Sequence, residues 1–393
     1  MERIHAVLAG AGGYGHFYLD ALLGGEPALP ISLIGAADPH PPEAARARLN
    51  AAGVPCYPSL EAFYAAGGRA ELAILAVPIA EHLPQCRVAS AHGSAILLEK
   101  PLAATLQEAA DIAELGCPVA VGYQWSYSRA ILNLKADIAA GRYGAPLSAK
   151  TLVLWPRLDA YFARPWAARR FDAAGRPVFD SIAHNACAHY LHNLLFLLGP
   201  ATDRAAEPER VRAGLWRAND IENFDTCAIQ VLTCGGVPIT FVASHATERV
   251  EGPVFEMDFT GGRAVAAWHP MDGSIHVMGY PDGERPVVYG DPNDDERAKL
   301  YAAARMARDG QPPVCGIAAA LPELKVISAL ERSLQAAGAR IAPIPGVART
   351  ADDAGNYVPG LHELLKTAYR TGATPDTLGL PEAGMGAWVS AGK

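Results

Sequence analysis

The sequence predicts an α/β protein in two parts: a doubly wound parallel sheet over residues 1–125, and a second α/β domain, 126–393, on a mainly antiparallel sheet. Three observations predict it. Short, almost wholly apolar runs alternate with helix-spaced stretches through the first 125 residues, as parallel strands buried on both faces require. From 213 to 289 the chain changes to strand patterns broken by Gly turns, which suits an antiparallel sheet. The length of 393 residues holds two such units at roughly 100–200 residues per domain.

Taken in order, Ile4–Ala9, Ile31–Ala37, 72–77, Ala95–Leu98 and 119–122 read as the buried strands. Helical spacing over 14–23, 42–52, 81–91 and 106–114 supplies the crossovers. Past the boundary, a helix over 129–140 ends at Gly141-Arg142-Tyr143-Gly144, and a strand follows at 148–154. An aromatic, arginine-rich segment runs from 155 to 171, and a long helix over 181–198 stops at Gly199-Pro200. Helices over 318–337 and 361–370 precede a Gly/Pro-rich end. No internal repeat interrupts this order.

Composition excludes several classes of function. Half the residues are hydrophobic, and Lys+Arg 33 against Asp+Glu 41 leaves a net charge of −8. Such a chain is neither disordered nor basic enough for general nucleic-acid binding. Seven scattered cysteines without a CxxC pair argue for reduced thiols rather than disulfides or a thiolate metal site. The first residues pass into the strand at Ile4 without a leader pattern, and no apolar run reaches the ~18–20 residues of a membrane span. A cytoplasmic protein without a membrane or nucleic-acid partner is expected.

Gly10-Ala11-Gly12-Gly13-Tyr14-Gly15 follows the first strand and opens the first helix. In this GxGxxG turn the first Gly permits the tight bend and the second lets a pyrophosphate approach the backbone. The third lets helix pack on strand, while the helix N-terminus faces the phosphates. Asp38 ends the second strand, 23 residues past Gly15, where a carboxylate can accept both ribose hydroxyls of an adenosine. Pro39-His40-Pro41-Pro42 follows, with no Arg or Ser beside Asp38 to hold a 2′-phosphate. NAD is therefore expected over NADP, which Arg46 and Arg48 keep open. Glu99-Lys100-Pro101 ends the fourth strand at the carboxyl edge, where such sheets bind ligands, and Pro101 holds Lys100 extended.

These motifs, with Ala76-Val77-Pro78 and His82 four residues on, resemble the glucose–fructose oxidoreductase / inositol dehydrogenase / MocA (Gfo/Idh/MocA) family. Similarity continues in Gly122-Tyr123-Gln124-Trp125, in 141–144 and around Pro359-Gly360-Leu361, so it spans nearly the whole chain. The resemblance implies a Rossmann domain, then an α/β domain with an open, mainly antiparallel sheet. It implies bound NAD(P) and hydride transfer to or from sugars, cyclitols or their acids. It places Gly10, Ala11, Gly12, Gly13, Tyr14, Gly15, Asp38, Ala76, Val77, Pro78, His82, Glu99, Lys100 and Gln124 at the cofactor. The Lys–Pro bond of this motif is often cis in the family.

The family's catalytic pattern is Asp-x-x-x-His followed by x-x-Asp, on a helix ending in Gly. Counting back from Gly199 puts the histidine at His189, with Asn185 and His192 where the carboxylates would stand. Positions 185, 189 and 192 would share one helix face. In oxidation His189 would take the hydroxyl proton, Lys100 would hydrogen-bond the same oxygen, and Asn185 would orient the imidazole. A reference lysine pKa of about 10.4 suits Lys100 to polarise rather than to accept a proton. His184 lies about 140° around an ideal helix from His189, so a metal set of Asp180, His184, His189 and His192 is not expected. Asp180 and Ser181 are expected to cap this helix.

Trp155, Arg157, Tyr161, Arg164 and Trp166 are candidates for the substrate, since aromatic faces stack on sugar rings and arginines pair with hydroxyls or carboxylates. His184, His189, His192 and His245 are placed beside them, and Arg217, Asn219, Asn223 and Asp225 carry similar weight. The leading expectation is an NAD-dependent oxidoreductase acting on a secondary hydroxyl of a sugar-like small molecule. Two alternatives stand beside it. One is an enzyme that holds NAD tightly and cleaves or epimerises glycosides through transient oxidation. The other is a ligand sensor that kept the dinucleotide site without chemistry. An open antiparallel sheet leaves a face to cover, so a homodimer or homotetramer is expected.

Overall fold

A computed structural model describes residues 3–24 and 29–392. The chain divides into two compact units, Met1–Tyr127 with Asp295–Leu321, and Ser128–Asp294 with Pro322–Lys393. The segment Asp295–Leu321, which sequence reading placed in the second domain, belongs with the first. The reason is burial: Leu300, Ala303, Ala304 and Met306 of the helix Ala298–Asp309 enter the same core as Ile4, Leu8, Tyr18 and Leu19.

In the first unit the strands are β1 (Ile4–Ala9), β2 (Ile31–Ala37), β3 (Cys56–Tyr57), β4 (Leu72–Leu75), β5 (Ala95–Leu98) and β6 (Val119–Val121). They form one parallel sheet in the order β3-β2-β1-β4-β5-β6. The order reverses between β1 and β4, and the crevice outside their carboxyl ends is where such sheets take ligands. The crossovers are α1 (Gly15–Leu23), α2 (Glu43–Ala51), α3 (Leu60–Ala65), α4 (His82–Ala91) and α5 (Leu106–Ala113). The last opens on a reciprocal capping box between Thr105 and Glu108.

The second unit holds a ten-stranded sheet in the order β14-β13-β12-β11-β7-β10-β9-β8-β15, with Val389–Ser390 pairing onto β8. Its members are β7 (Pro146–Leu154), β8 (Pro208–Arg217), β9 (Thr226–Thr233), β10 (Pro238–Ser244), β11 (Glu251–Phe259), β12 (Gly262–Trp268), β13 (Ile275–Pro281), β14 (Val287–Gly290) and β15 (Ala342–Pro343). Only β7–β10 and β8–β15 pair in parallel, so the sheet is mainly antiparallel and open, as expected. Leu361, Leu365 and Tyr369 of the C-terminal helix bury against Leu152, Leu154 and Val242 of this sheet. The helices α6 (Arg129–Ala139), α7 (Asp159–Phe162) and α8 (Ala188–Leu197) belong to the same unit.

The helix expected over 181–198 is broken. Ser181 caps a single π turn, Ile182–Ala186, closed by a Cys187 N–H donating to Ile182 O at 2.8 Å. Cys187 then departs from helical geometry (φ −114°, ψ 11°) before α8 starts. Among the described residues no helix is long and apolar enough to cross a membrane.

Candidate active site

The first unit forms a cradle of backbone amides. Gly10 sits at φ +85°, and a Cβ there would meet Ala76 O at 2.2 Å; one at Gly15 would meet Gly10 O at 2.1 Å. Both positions therefore need glycine to close the turn. A Cβ at Gly12 would touch only the Pro42 ring, at 3.4 Å, so the outer face of the turn is open. The amides of Gly12, Gly13 and Tyr14 have no acceptor among the described residues and stand at the N-terminus of α1. That donor set fits a pyrophosphate. Asp38 accepts from Ala11 N–H and from His40 N–H, each at 2.8 Å, which fixes its carboxylate at the end of β2. Each oxygen keeps a lone pair for a ribose hydroxyl.

Ala76, Val77 and Pro78 leave the carboxyl end of β4, but His82 does not face a ligand. It is fully buried, with Nε2 3.2 Å from Val77 O and Nδ1 3.4 Å from Leu102 O. Its work is to brace the Val77 and Leu102 turns against each other, which corrects its assignment to the cofactor.

Glu99, Lys100 and Pro101 stand beyond β5, and the Lys100–Pro101 bond is cis. Lys100 is half-buried. Glu99 is buried beneath it: its carboxylate accepts from Tyr18 OH at 2.5 Å, from Lys299 Nζ at 2.6 Å and from Lys100 N–H at 3.2 Å. A Cβ at Gly122 would lie 2.7 Å from that carboxylate, so Gly122 makes its room. Lys299 Nζ also donates to Tyr14 OH at 3.1 Å, and Tyr14 OH donates to Gln124 Oε1 at 3.1 Å. One network thus ties the glycine turn, Glu99 and Gln124 together. Sequence reasoning missed Lys299 because it sits in an amphipathic helix, where a lysine ordinarily marks the solvent face.

In the second unit the three histidines of the catalytic segment separate. His189 is half-exposed, whereas His184 and His192 are fully buried and are not placed to touch a substrate. His184 Nδ1 lies 3.9 Å from the buried Glu323. His192 stacks on Phe196, over which Lys135 Nζ sits at 3.5 Å. The π turn takes Asn185 off the regular face of α8, so the shared face expected for 185, 189 and 192 is not formed. Asn185 Nδ2 instead donates to Asp180 Oδ1 at 2.6 Å, while Asp180 Oδ2 accepts from Ala168 N–H at 2.5 Å. Asp180 is a cross-loop tie, and only Ser181 caps. Asp225 is likewise structural, accepting from Ala218 N–H and from the main and side chains of Asn219. Among the described residues no three His, Cys, Asp or Glu side chains converge on a metal position.

The aromatic segment folds into a stack within the same unit. The Arg157 guanidinium lies 5.6 Å from the Trp155 ring and 5.1 Å from Tyr161; Arg164 lies 5.1 Å from Tyr161 and 5.6 Å from Trp166. Trp155 meets Tyr190 edge-on at 5.5 Å, and Tyr190 neighbours His189 at 6.2 Å, so this stack and the helix of His189 adjoin. His245 packs edge-on to Tyr161 at 5.5 Å, and its Nδ1 lies 2.8 Å from Trp155 O. A carbonyl only accepts, so Nδ1 carries the proton. Burial, reinforced by the Arg157 charge, pushes His245 down to about 3 against the pull of that hydrogen bond, and the ring is neutral. The buried neutral ring packs on Tyr161 and Phe162, and its lowered pKa makes it a weak base.

Burial also pushes His82 down to about 4 and, with help from the Lys135 charge, His192 to about 3. Both lie below the ordinary histidine value of about 6.5, so in acid the unfolded chain binds protons that the folded chain refuses. The stability these rings contribute is complete above about pH 6.5 and is lost as pH falls toward the folded values. His192→Gln should therefore flatten the pH dependence of urea unfolding by up to about 1.4 kcal/mol per pH unit between roughly pH 6 and 4. Equal slopes for variant and parent would show that His192 is not held neutral.

Comparison with known proteins fits this geometry. Residues 4–122 match the Gfo/Idh/MocA family profile, described as an oxidoreductase family with an NAD-binding Rossmann fold. Among solved structures, the chain is similar to the WlbA dehydrogenase from Bordetella pertussis in complex with NADH and UDP-GlcNAcA (22% identity, TM-score 0.70, covering 86% of this chain and 98% of that one). It is also similar to an oxidoreductase from Agrobacterium radiobacter in complex with NAD+, L-tartaric acid and magnesium (17%, TM-score 0.67, 84% and 96%). A third is a putative myo-inositol dehydrogenase from Sinorhizobium meliloti (19%, TM-score 0.63, 84% and 97%). At these identities the likeness is one of fold. No curated protein matches the chain in sequence. The glycine turn, Asp38 and Lys100-Pro101 all lie on the segment that matches the Gfo/Idh/MocA profile, so residues 4–122 are an NAD-binding Rossmann domain of that family's type.

Proposed function

We propose that the protein is an NAD-dependent oxidoreductase that moves a hydride to or from a secondary hydroxyl of a sugar, cyclitol or sugar acid. The observation that carries this reading is Lys100, half-buried at the carboxyl end of β5 in the sheet whose β1 end bears the amide cradle. A nicotinamide dinucleotide, when bound, supplies the hydride chemistry. The chain supplies the rest. Lys100 has donors only, so it hydrogen-bonds the reacting oxygen and stabilises alkoxide character. His189, the half-exposed histidine of its segment, takes the hydroxyl proton in oxidation. The similar structures hold a nucleotide sugar acid and tartaric acid, or are named for inositol, which supports a polyhydroxylated substrate. The reading is tested by following NAD reduction against a panel of sugars, cyclitols and sugar acids; no turnover with any member removes it.

The cofactor preference rests on Asp38. Fixed by two amides at the adenosine end of the cradle, its carboxylate accepts ribose hydroxyls and repels a 2′-phosphate. NAD should bind at least about tenfold tighter than NADP, about 1.4 kcal/mol. Asp38→Ala should narrow the gap. Fluorescence titration giving equal or tighter NADP binding to the parent protein would sink the assignment.

A further inference from the structure

We propose that the substrate carries a carboxylate, seated on Arg157 and Arg164. The proposal rests on the hydride-transfer reading and narrows its substrate class to hydroxy acids. Five arginines lie between residues 155 and 176. Three have acidic partners: Arg169 pairs with Glu222, Arg170 with Glu331 and Arg176 with Asp172. Arg157 and Arg164 pair with no carboxylate among the described residues. The nearby acids are committed elsewhere, Asp159 to Arg349 and Asp180 to Ala168 N–H and Asn185.

The two guanidiniums share the Tyr161 ring, each 5.1 Å from its centre, so stacking holds them close together without neutralising them. Neutral His245 adds no counter-charge. Arg157 Nε is buried without an acceptor, and buried N–H groups in native proteins are nearly always satisfied. Two positive charges on one ring, in a chain of net charge −8, call for an anion. A neutral polyol needs acceptors as well as donors, whereas guanidinium offers donors alone, in a fork matched to a planar carboxylate. The stack adjoins the helix of His189 through Tyr190, so an acid bound there brings its hydroxyl-bearing carbons toward the proposed base. Stacking alone is the competing account, because arginines on aromatic rings need no ligand.

The test uses full-length protein with NADH bound, and tryptophan fluorescence as the readout for three matched pairs: glucose and glucuronate, galactose and galacturonate, glycerol and glycerate. At least one acid should bind about tenfold or more tighter than its neutral partner. Arg164→Gln, at an exposed side chain whose loss the fold tolerates, should remove most of that preference, and Arg157→Gln with it should remove the rest. If no acid is preferred, or the double variant keeps the preference, the proposal is overturned. Glucose 6-phosphate binding more tightly than every acid, with the same arginine dependence, reassigns the seat to phosphate and also overturns it. Arginine-dependent binding of acids without NAD reduction would leave this inference standing and remove the hydride-transfer reading. Turnover of neutral sugars without acid preference would do the reverse.

Discussion

Lys100→Met and His189→Ala are each expected to lower kcat by about 10²–10⁴-fold, the range of a general acid–base or polarising group. NADH affinity changes by less than about tenfold, roughly 1.4 kcal/mol. The reasoning for Lys100 is local. Its backbone N–H is anchored on the buried Glu99 carboxylate, and Met preserves the length of the stem while removing the donor. An interaction that exists only while charge builds on the substrate oxygen lowers kcat and kcat/KM together, whereas loss of simple binding would raise KM alone. For His189 the argument is comparative. His184 and His192 are sealed in the interior, and His245 is buried and made a weak base by that burial. His189 is the half-exposed imidazole of the group, which is why the proposed mechanism gives it the proton transfer. Near-full activity of His189→Ala with a true substrate would show that the proton goes elsewhere.

Much of the first unit was legible because its signals are local. β4 and β5 are buried on both faces and β1 and β2 along most of their length, so all four announce themselves as largely apolar stretches. The glycine turn is equally direct, since Gly10 and Gly15 are dictated by backbone crowding within the turn and its neighbouring strand. The failures share a different physics. The two-residue strand β3 and the six-residue helix α3 are too short to show a period. No Gly or Pro marks the π turn at Ile182–Ala186, where the break is set by tertiary ties such as Asp180 to Ala168 and Asn185. The helix Ala298–Asp309 joins a core laid down nearly 300 residues earlier, and nothing in its own sequence says which core that is.

That late helix carries the largest expected effect on stability. Lys299→Met should lower the free energy of unfolding by about 3–5 kcal/mol, the usual cost of removing one partner from a buried ion pair. Lys299 is fully buried, with its Nζ 2.6 Å from Glu99 and 4.4–4.9 Å from the ring centres of Tyr14, Phe17 and Tyr18. Burial pulls its pKa below the ordinary lysine value, while Glu99 works in the opposite direction. Methionine fills much of the same volume, so the loss is not chiefly a cavity. It is a carboxylate left in the interior with Tyr18 OH and one amide in place of a counter-charge. The double variant Lys299→Met/Glu99→Gln should recover part of the loss, because the uncompensated charge goes with the second change. The damage should also reach the cofactor, since Lys299 donates to Tyr14 of the glycine turn, and NADH affinity should fall along with stability. Denaturant unfolding of the two single variants and the double variant measures the coupling directly. A Lys299→Met protein within about 1 kcal/mol of the parent would mean that the cation–carboxylate pair contributes no more than a surface ion pair.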